Sequence, residues 1–567
     1  MQFAKLPLLG LKLSLLMLIG TPALTLAQIP QPINPPEPLP TPIPIPQPSP
    51  PPPLEVEPPV VPPTPEEELP GTPDAIIIER FEFIGNTAYT DAELAEITAE
   101  FVGREITFAE LLQAEAAVTQ FYTESGFVNS GAIIPAGQNL TDGVITIRLL
   151  EGGLEEINVT GTGRLRPSYV RSRIAVATKT PLNVNRLLTA LQLLQLDPLI
   201  ENISAELAAG SRPELSVLTV TVTPADPFSL DLIADNGRIP SVGTFRRGLS
   251  VTHLNLLGFG DRINTAYTNT DGSDRYDINY TFPINARNGT IRFDYYGTNS
   301  EVIEEPFDRL DITGDSDRFG LTIRQPIYQT PIRDIAVGLT LSRENSQTTI
   351  LGEEEPLSVG AEEDGSTKIS AIRLFQEYTQ RTSRSVFAVR SQFSLGVGAF
   401  DATINDQPPD SRFFNWRGQG QYVRLLAPDT LLVVRSDIQL STRALVPLEQ
   451  FPLGGYQSVR GYRQDVLLTD NGVFFSAEVL FPIARFGEGN VLQIVPFFDL
   501  GRGWNVEEEA SQENDTIAGA GLGLQLRLGD RFNARIDYGI PFNEVDDRDE
   551  NSLQEAGVYF SVTYTPF

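Results

Sequence analysis

The chain has 567 residues, and its 42 basic and 73 acidic side chains give a formal charge of −31. It contains no cysteine and a single histidine, His253. Disulfide scaffolds, thiolate metal sites, cysteine nucleophiles and mechanisms needing two imidazoles are thereby excluded. The acidity also argues against nucleic acid as a partner, because binding it takes a basic face that displaces counterions.

Residues 1–27 carry Lys5 and Lys12 and no acid, then an apolar stretch from Leu13 to Ile19, then Thr25-Leu26-Ala27 with small residues at −3 and −1. This pattern predicts a signal peptide cleaved before Gln28. The alternative, a membrane anchor, would need an apolar run of about 20 residues. Losing two lysines takes the formal charge from −31 to −33. No later stretch reaches 18 apolar residues, so no transmembrane helix is expected. An exported chain of this kind belongs in the periplasm, the medium or an outer membrane.

Residues 28–74 form a proline-rich linker, expected to be disordered, with 21 prolines between Pro30 and Pro73. Proline lacks the N–H and fixes φ, which predicts neither helix nor ladder there but extended polyproline II. The segment reads either as a semi-rigid spacer reaching through the cell wall or as an inert tether.

Residues 75–152 read as a small α+β unit of order β-α-α-β-β. Ala75–Ile84 is the first strand, and capping boxes start helices at Thr90/Glu93 and Thr107/Glu110. Leu111, Ala114, Val118 and Phe121-Tyr122 give the second helix an apolar face, and Gly126 ends it. Phe127–Ile134 and Gly143–Leu149 are the last two strands. Residues 153–224 repeat the order, with strands at Glu155–Val159, Ile203–Ala208 and Leu215–Val222 and helices at Pro167–Val176 and Val184–Gln195.

Residues 225–567 change to period two. Phe387, Val389, Ser391, Phe393, Leu395 and Val397 alternate with Ala388, Arg390, Gln392, Ser394, Gly396 and Gly398. Such runs reach 9–12 residues, the length that crosses a bilayer obliquely. Short turns such as Ala286-Arg287-Asn288 alternate with long acidic connections: Glu301–Asp317, Ser346–Gly365 and Asn505–Thr516. Short turns on one side and long loops on the other, with aromatics such as Phe282 and Phe481 by the turns, mark a transmembrane barrel. Sixteen antiparallel strands fit, the first near Phe228 and the last near Gly557, and the even count puts both ends on one side.

The connection Ala444–Asn471 is long without being merely acidic. Its centre reads Phe451-Pro452-Leu453-Gly454-Gly455-Tyr456-Gln457-Ser458-Val459-Arg460-Gly461-Tyr462. Apolar and aromatic residues around an arginine make sense if the loop folds back into the barrel. Asp499, within Phe497-Phe498-Asp499-Leu500-Gly501, sits on a strand where aspartate is disfavoured and needs a partner. Arg460 is the natural one, through charge-assisted bonds. Gly519, Gly521 and Gly523 clear one face of the next strand, either for crowding in general or for this loop.

These features together resemble the two-partner secretion transporters (TpsB-type, or haemolysin activation/secretion proteins) of the POTRA–barrel superfamily. Their architecture is two α+β POTRA domains followed by a 16-stranded antiparallel transmembrane β-barrel. Val459-Arg460-Gly461-Tyr462 is similar to the superfamily's loop-tip motif, and Phe497-x-Asp499-x-Gly501 to its strand-thirteen partner. Phe83-x-Gly85-Asn86-Thr87, Tyr122, Gly126-Phe127 and Asp142-Gly143 before Glu151-Gly152 resemble the first POTRA. The likeness runs almost unbroken over residues 75–567. Family members begin with a helix that plugs the barrel, which the prolines here forbid. The chain ends in Phe567, the terminal residue expected for insertion by the barrel-assembly machinery, but Phe567 is out of register with Val558, Phe560, Val562 and Tyr564 unless Pro566 makes a bulge.

The resemblance implies a transporter in outer-membrane lipid, with its POTRA domains in the periplasm. It would pass an unfolded TpsA-type exoprotein outward without ATP, cofactor or metal. Edge strands accept extended peptides, so capture is expected at Phe127–Ile134. The groove there would involve Phe121, Tyr122, Phe127, Ile133 and Ile134, with Phe121 also weighed as plain core. The alternatives are a barrel-assembly factor, a passive porin and, more remotely, an enzyme. Assembly factors usually carry three to five POTRA units, a porin needs no Arg460/Asp499 pair, and His253 reads as a girdle or lumen residue.

Overall fold

The computed structural model describes residues 54–56, 76–138, 142–212, 214–487, 489–507, 515–543, 545 and 552–567. The expected signal peptide, and all of the proline-rich segment except Leu54–Val56, lie outside these residues.

In the first α+β unit both capping boxes form. Thr90 caps the helix Asp91–Ile97 and Thr107 caps Phe108–Glu124, each bonding the N3 glutamate reciprocally. Gly126, at φ +94°, ends the second helix. Strand Arg80–Ile84 pairs in parallel with Val144–Leu150, which pairs antiparallel with Gly131–Ile133 at the sheet edge. Leu94, Leu111, Val118, Tyr122, Ile145 and Ile147 fill the core. Two expected strands are altered. Ala75–Ile84 divides, with Ile76–Ile77 turning aside to pair with Glu105–Ile106. Phe127–Ile134 contracts to Gly131–Ile133, because Phe127 to Ser130 closes a turn (Ser130 N–H to Phe127 O, 3.0 Å) that tucks Phe127 into the core.

The second unit repeats the order, with strand Gly153–Thr160, helices Pro167–Ala177 and Val184–Gln195, and strands Ile200–Ala209 and Leu215–Pro224. Its sheet has a fourth member. Leu54–Val56 lies parallel to the edge strand Ile200–Ala209, with Leu54 opposite Ala205 and Val56 opposite Leu207. This corrects the expectation that the proline-rich segment forms no ladder. Between Pro53 and Pro58 the chain has four residues with free N–H groups, enough for one short strand.

From Phe228 the chain closes into an antiparallel barrel of sixteen long strands, the first (Phe228–Asp235) pairing with the last (Val558–Tyr564), plus a two-residue strand at Glu353–Glu354. Leu, Ile, Phe and Tyr side chains at one parity are exposed outward, among them Phe293, Ile323, Leu374, Leu524 and Ile536. His253, in strand two (Arg246–Leu254), shares the outward parity of Leu249, near the end that leads into a short turn. Strands six (Ile312–Gln329) and seven (Arg333–Ile350) are 18 residues long and take in parts of the expected loops Glu301–Asp317 and Ser346–Gly365. Beyond the bilayer neither face of a ladder has to be apolar, so the alternation fades while pairing such as Asp315 with Gln347 continues.

The second unit docks on the short turns. Arg166 donates its N–H to Gly258 O (2.9 Å) and lays its guanidinium over the Phe259 ring (3.6 Å). Arg173 Nε donates to Asn288 Oδ1 (2.7 Å).

Candidate functional site: a loop clasped in the lumen

The connection between strand eleven (Thr430–Ser441) and strand twelve (Asn471–Arg485) folds back inside the barrel. Two short strands, Phe451–Leu453 and Leu467–Thr469, pair as a stem, with Leu453 opposite Leu467. Phe451, Leu453, Val459, Tyr462 and Leu467 form a small core against Phe474 of strand twelve and Ile517 of strand fourteen (Thr516–Leu528). An apolar loop is stable here because the barrel wall buries it. Val459, Arg460 and Tyr462 retain 0%, 1% and 2% of their surface.

Arg460 is the centre of the attachment. Its Nε and Nη2 grip Asp499 Oδ2 (2.7 Å) and Oδ1 (2.9 Å), and its backbone N–H adds a third bond to Oδ2 (3.2 Å). Nη1 donates to Glu478 Oε2 (3.0 Å) and lies 3.7 Å from Asp537 Oδ2. The guanidinium stacks 3.5 Å over the Phe497 ring, a contact that the planar ion favours. Arg535 supports the same acids, through Nη2 to Glu478 Oε2 (2.8 Å) and Nε to Asp537 Oδ2 (2.8 Å). Arg435 also points into this layer beside Phe474, its guanidinium carbon 5.9 Å from the ring centroid. Three arginines (435, 460, 535) thus face three carboxylates (478, 499, 537). A buried cluster of charges is tolerable only when paired in this way.

The rest of the motif is fixed as closely. Gly461, at φ +107°, donates its N–H to the Tyr559 hydroxyl (2.9 Å), which donates to Tyr462 O (2.5 Å). Tyr462 Oη donates to Asn543 Oδ1 (2.7 Å). A Cβ on Gly501 would stand 2.8 Å from Leu453 Cδ2 and 3.0 Å from Val459 Cγ2, so the strand is bare where the loop leans on it. Of the strand-fourteen glycines, Gly519 alone makes room for the loop, against the Arg460 carbonyl; Gly521 faces Phe497 and Gly523 faces Asp537. Toward the outer side Arg463 pairs with Glu304 (2.9 Å) and Glu555 (3.4 Å), which lie in two different connections.

Val459, Arg460, Gly461, Tyr462, Phe497, Asp499 and Gly501 therefore meet in one place. The sequence reading missed Glu478, Arg535, Asp537 and Tyr559. Their signal was a charged or phenolic group at the inward parity of a barrel strand, and Asp537 and Tyr559 are direct partners in the ladder. The other expected site residues lie elsewhere. Phe567 is exposed on the outer face with its ring 6.4 Å from that of Phe228; the last strand ends at Tyr564, so its register places no constraint on Phe567.

In the first α+β unit, Ile133 is exposed, Ile134 and Phe121 are half-buried, and Tyr122 and Phe127 are buried. This corrects the expected groove. Tyr122 and Phe127 are core residues, joined to Tyr89 at ring distances of 5.2 and 5.9 Å, while Phe121, weighed as core, is the aromatic nearer the surface. The edge is also less open than expected, because Ala132 N–H is taken by the Thr119 hydroxyl (2.9 Å) and Ile134 N–H by Glu115. Burial holds the Glu115 carboxyl above its usual value, offset in part by that bond.

Residues 214–526 match the haemolysin secretion/activation protein family ShlB/FhaC/HecB. The chain belongs to this family. Residues 76–152 match the ShlB-type POTRA domain. The outer membrane transporter CdiB of Dickeya dadantii is 22% identical over 413 residues, 71% of this chain and 72% of the relative. The Heme/hemopexin transporter protein HuxB of Haemophilus influenzae is 22% identical over 497 residues, 81% of this chain and 82% of the relative. The solved structure of CdiB from Escherichia coli superposes with a TM-score of 0.68 at 19% identity, covering 88% of this chain and 92% of that one. BamA of Haemophilus ducreyi lacking POTRA domains 1–3 gives a TM-score of 0.53 at 13% identity, covering 86% of this chain and all of that one. The protein is thus an outer-membrane transporter of the TpsB type, with its POTRA domain in the periplasm. The family is one of transporters, not of enzymes.

Proposed function

We propose that the protein captures an unfolded TpsA-type exoprotein at its POTRA domains and secretes it through the sixteen-stranded barrel. The luminal clasp carries this reading. A diffusion pore has no use for a loop held by Arg460 across Asp499 and Glu478, whereas a channel for a polypeptide needs a lumen closed at rest and lined by polar groups. Capture would fall on the groove between Gly131–Ile133 and the helix Phe108–Glu124, where Ile133 and Phe121 offer apolar contact. Peptides added to a sheet edge gain affinity from backbone bonds and selectivity from side-chain pockets. Here the incoming strand must displace Thr119 and Glu115 from the edge N–H groups. Phe567 would serve as the terminal signal read by the barrel-assembly machinery.

The proposal expects a large secreted protein to be encoded beside the transporter gene, and the test is co-production with that protein, comparing the full chain with one lacking residues 76–152. Heat-modifiable migration reports barrel insertion in both. The proposal expects an inserted barrel and no exoprotein in the medium for the shortened chain. Undiminished secretion would overturn it.

A further inference from the structure

A groove of about 440 Å³ runs between the helices of the second POTRA unit and the periplasmic ends of barrel strands four to six. Arg173 and Arg186 reach it from the helices and Arg287 from the turn after strand four (Ser273–Pro283). In a chain with 73 acids and 42 bases, none of these three arginines makes an ion pair among the described residues. Arg173 is held in place by Asn288 (2.7 Å), by the Tyr169 carbonyl (3.1 Å) and by stacking 3.4 Å over the Tyr169 ring, yet its Nη2 has no acceptor among the described residues. Burial pushes its guanidinium below the ordinary value, and Tyr169 and the Asp197 carboxylate nearby offset this only in part. Arg186 and Arg287 are exposed, and their guanidinium groups have no hydrogen-bond acceptor among the described residues. Among the described residues one acid lines the groove, Asp197, and it is engaged by the Tyr169 hydroxyl (2.7 Å) and Leu199 N–H (3.0 Å).

The groove opens beside apolar surface. Ile284, Ile327 and Ile332 are 47%, 64% and 57% exposed at the periplasmic ends of strands four, six and seven. At the turn end of the barrel's apolar outer face these side chains would meet lipid chains, and a cation cluster beside them would face the headgroup layer. Guanidinium groups bind phosphate oxygens bidentately, and in helical membrane proteins basic pockets between the spans take lipid headgroups. Free phosphate would make no use of the isoleucines.

We propose that this groove binds one anionic phospholipid of the periplasmic leaflet, its phosphate on Arg173, Arg186 and Arg287 and its acyl chains along Ile284, Ile327 and Ile332. Because Arg186 belongs to the POTRA unit and Arg287 to the barrel, the lipid bridges the two and fixes the POTRA unit against the membrane.

The test uses the full-length chain in neutral detergent, titrated with dioleoylphosphatidylglycerol, dioleoylphosphatidylcholine or inorganic phosphate and read by native mass spectrometry. One phosphatidylglycerol should be retained in preference to phosphatidylcholine, and inorganic phosphate should not displace it. Arg186→Gln with Arg287→Gln, two exposed side chains without bonds, should weaken retention about 25-fold, at about fivefold per arginine. Ile327→Asn, which leaves the arginines in place, should weaken it as well. Equal retention of both lipids, or unchanged retention by the double arginine variant, would overturn the site. Displacement by inorganic phosphate, or indifference to Ile327→Asn, would overturn the lipid as its occupant. The wild-type comparison of the two lipids decides the question even if a variant fails to fold.

Discussion

At the residue scale, Tyr559 holds the loop tip through a single hydroxyl that accepts from Gly461 N–H and donates to Tyr462 O. Tyr559→Phe would leave two buried backbone groups unpaired, at roughly 1–3 kcal/mol for a buried polar group. The tip should open about ten times more often, measured as faster tryptic cleavage at Arg463 in an intact barrel. Gly519→Ala brings a methyl against the Arg460 carbonyl. It should displace the tip in the same assay, whereas an alanine at exposed Gly487, which meets no neighbouring atom, should not. Arg460 and Asp499 could be read from sequence because each is anomalous where it stands: an arginine in an apolar loop and an aspartate in an aromatic strand. Glu478, Arg535 and Asp537 could not. A charge at the inward parity of a barrel strand looks the same whether it faces water or a partner, and only the register across strands twelve to fifteen brings the two strands that carry these charges to one layer.

At the element scale, the first POTRA unit separates core from contact surface. Tyr122 is fully buried, with its hydroxyl bonded to Glu151 (3.0 Å). Tyr122→Phe should cost about 1 kcal/mol of stability in denaturant titration and leave exoprotein capture unchanged. Ile133→Asp, at an exposed edge position, should do the reverse, weakening capture about tenfold with little change in stability; calorimetry with the exoprotein's N-terminal region measures both. Helices were the most legible elements. Thr90/Glu93, Thr107/Glu110 and Pro167 mark their starts within a residue, because caps are local chemistry. Within the barrel, strand lengths were legible only where lipid enforces alternation. Strands six and seven outrun the bilayer, and there ladder bonds, which leave no trace in side-chain pattern, decide the length. The strand at Leu54–Val56 was hidden for another reason. Composition averaged over a proline-rich segment conceals a four-residue gap between prolines, and pairing depends on the partner edge at Ile200–Ala209.

At the scale of the whole molecule, a barrel of sixteen strands conducts water and ions if its lumen is empty. The loop occupies that lumen, so deleting Leu453–Arg463 should raise single-channel conductance strongly in planar bilayers. Deleting residues 28–72 should change it little. The opposite pattern would assign the closure to the proline-rich segment. The barrel and its paired motifs were legible because membrane thickness and the even strand count constrain the pattern over the whole chain. How the POTRA units sit beneath the barrel was not, since that rests on single contacts such as Arg166 with Gly258 and Phe259. The central claim, that secretion depends on the loop being clasped by Arg460, is tested most directly by Arg460→Ala. The change leaves Asp499 and Glu478 without their loop-borne cation, and breaking a buried pair costs roughly 3–5 kcal/mol. Exoprotein in the medium should fall to background while the barrel still inserts and shifts on heating. Secretion at the wild-type level by an inserted Arg460→Ala barrel would contradict it.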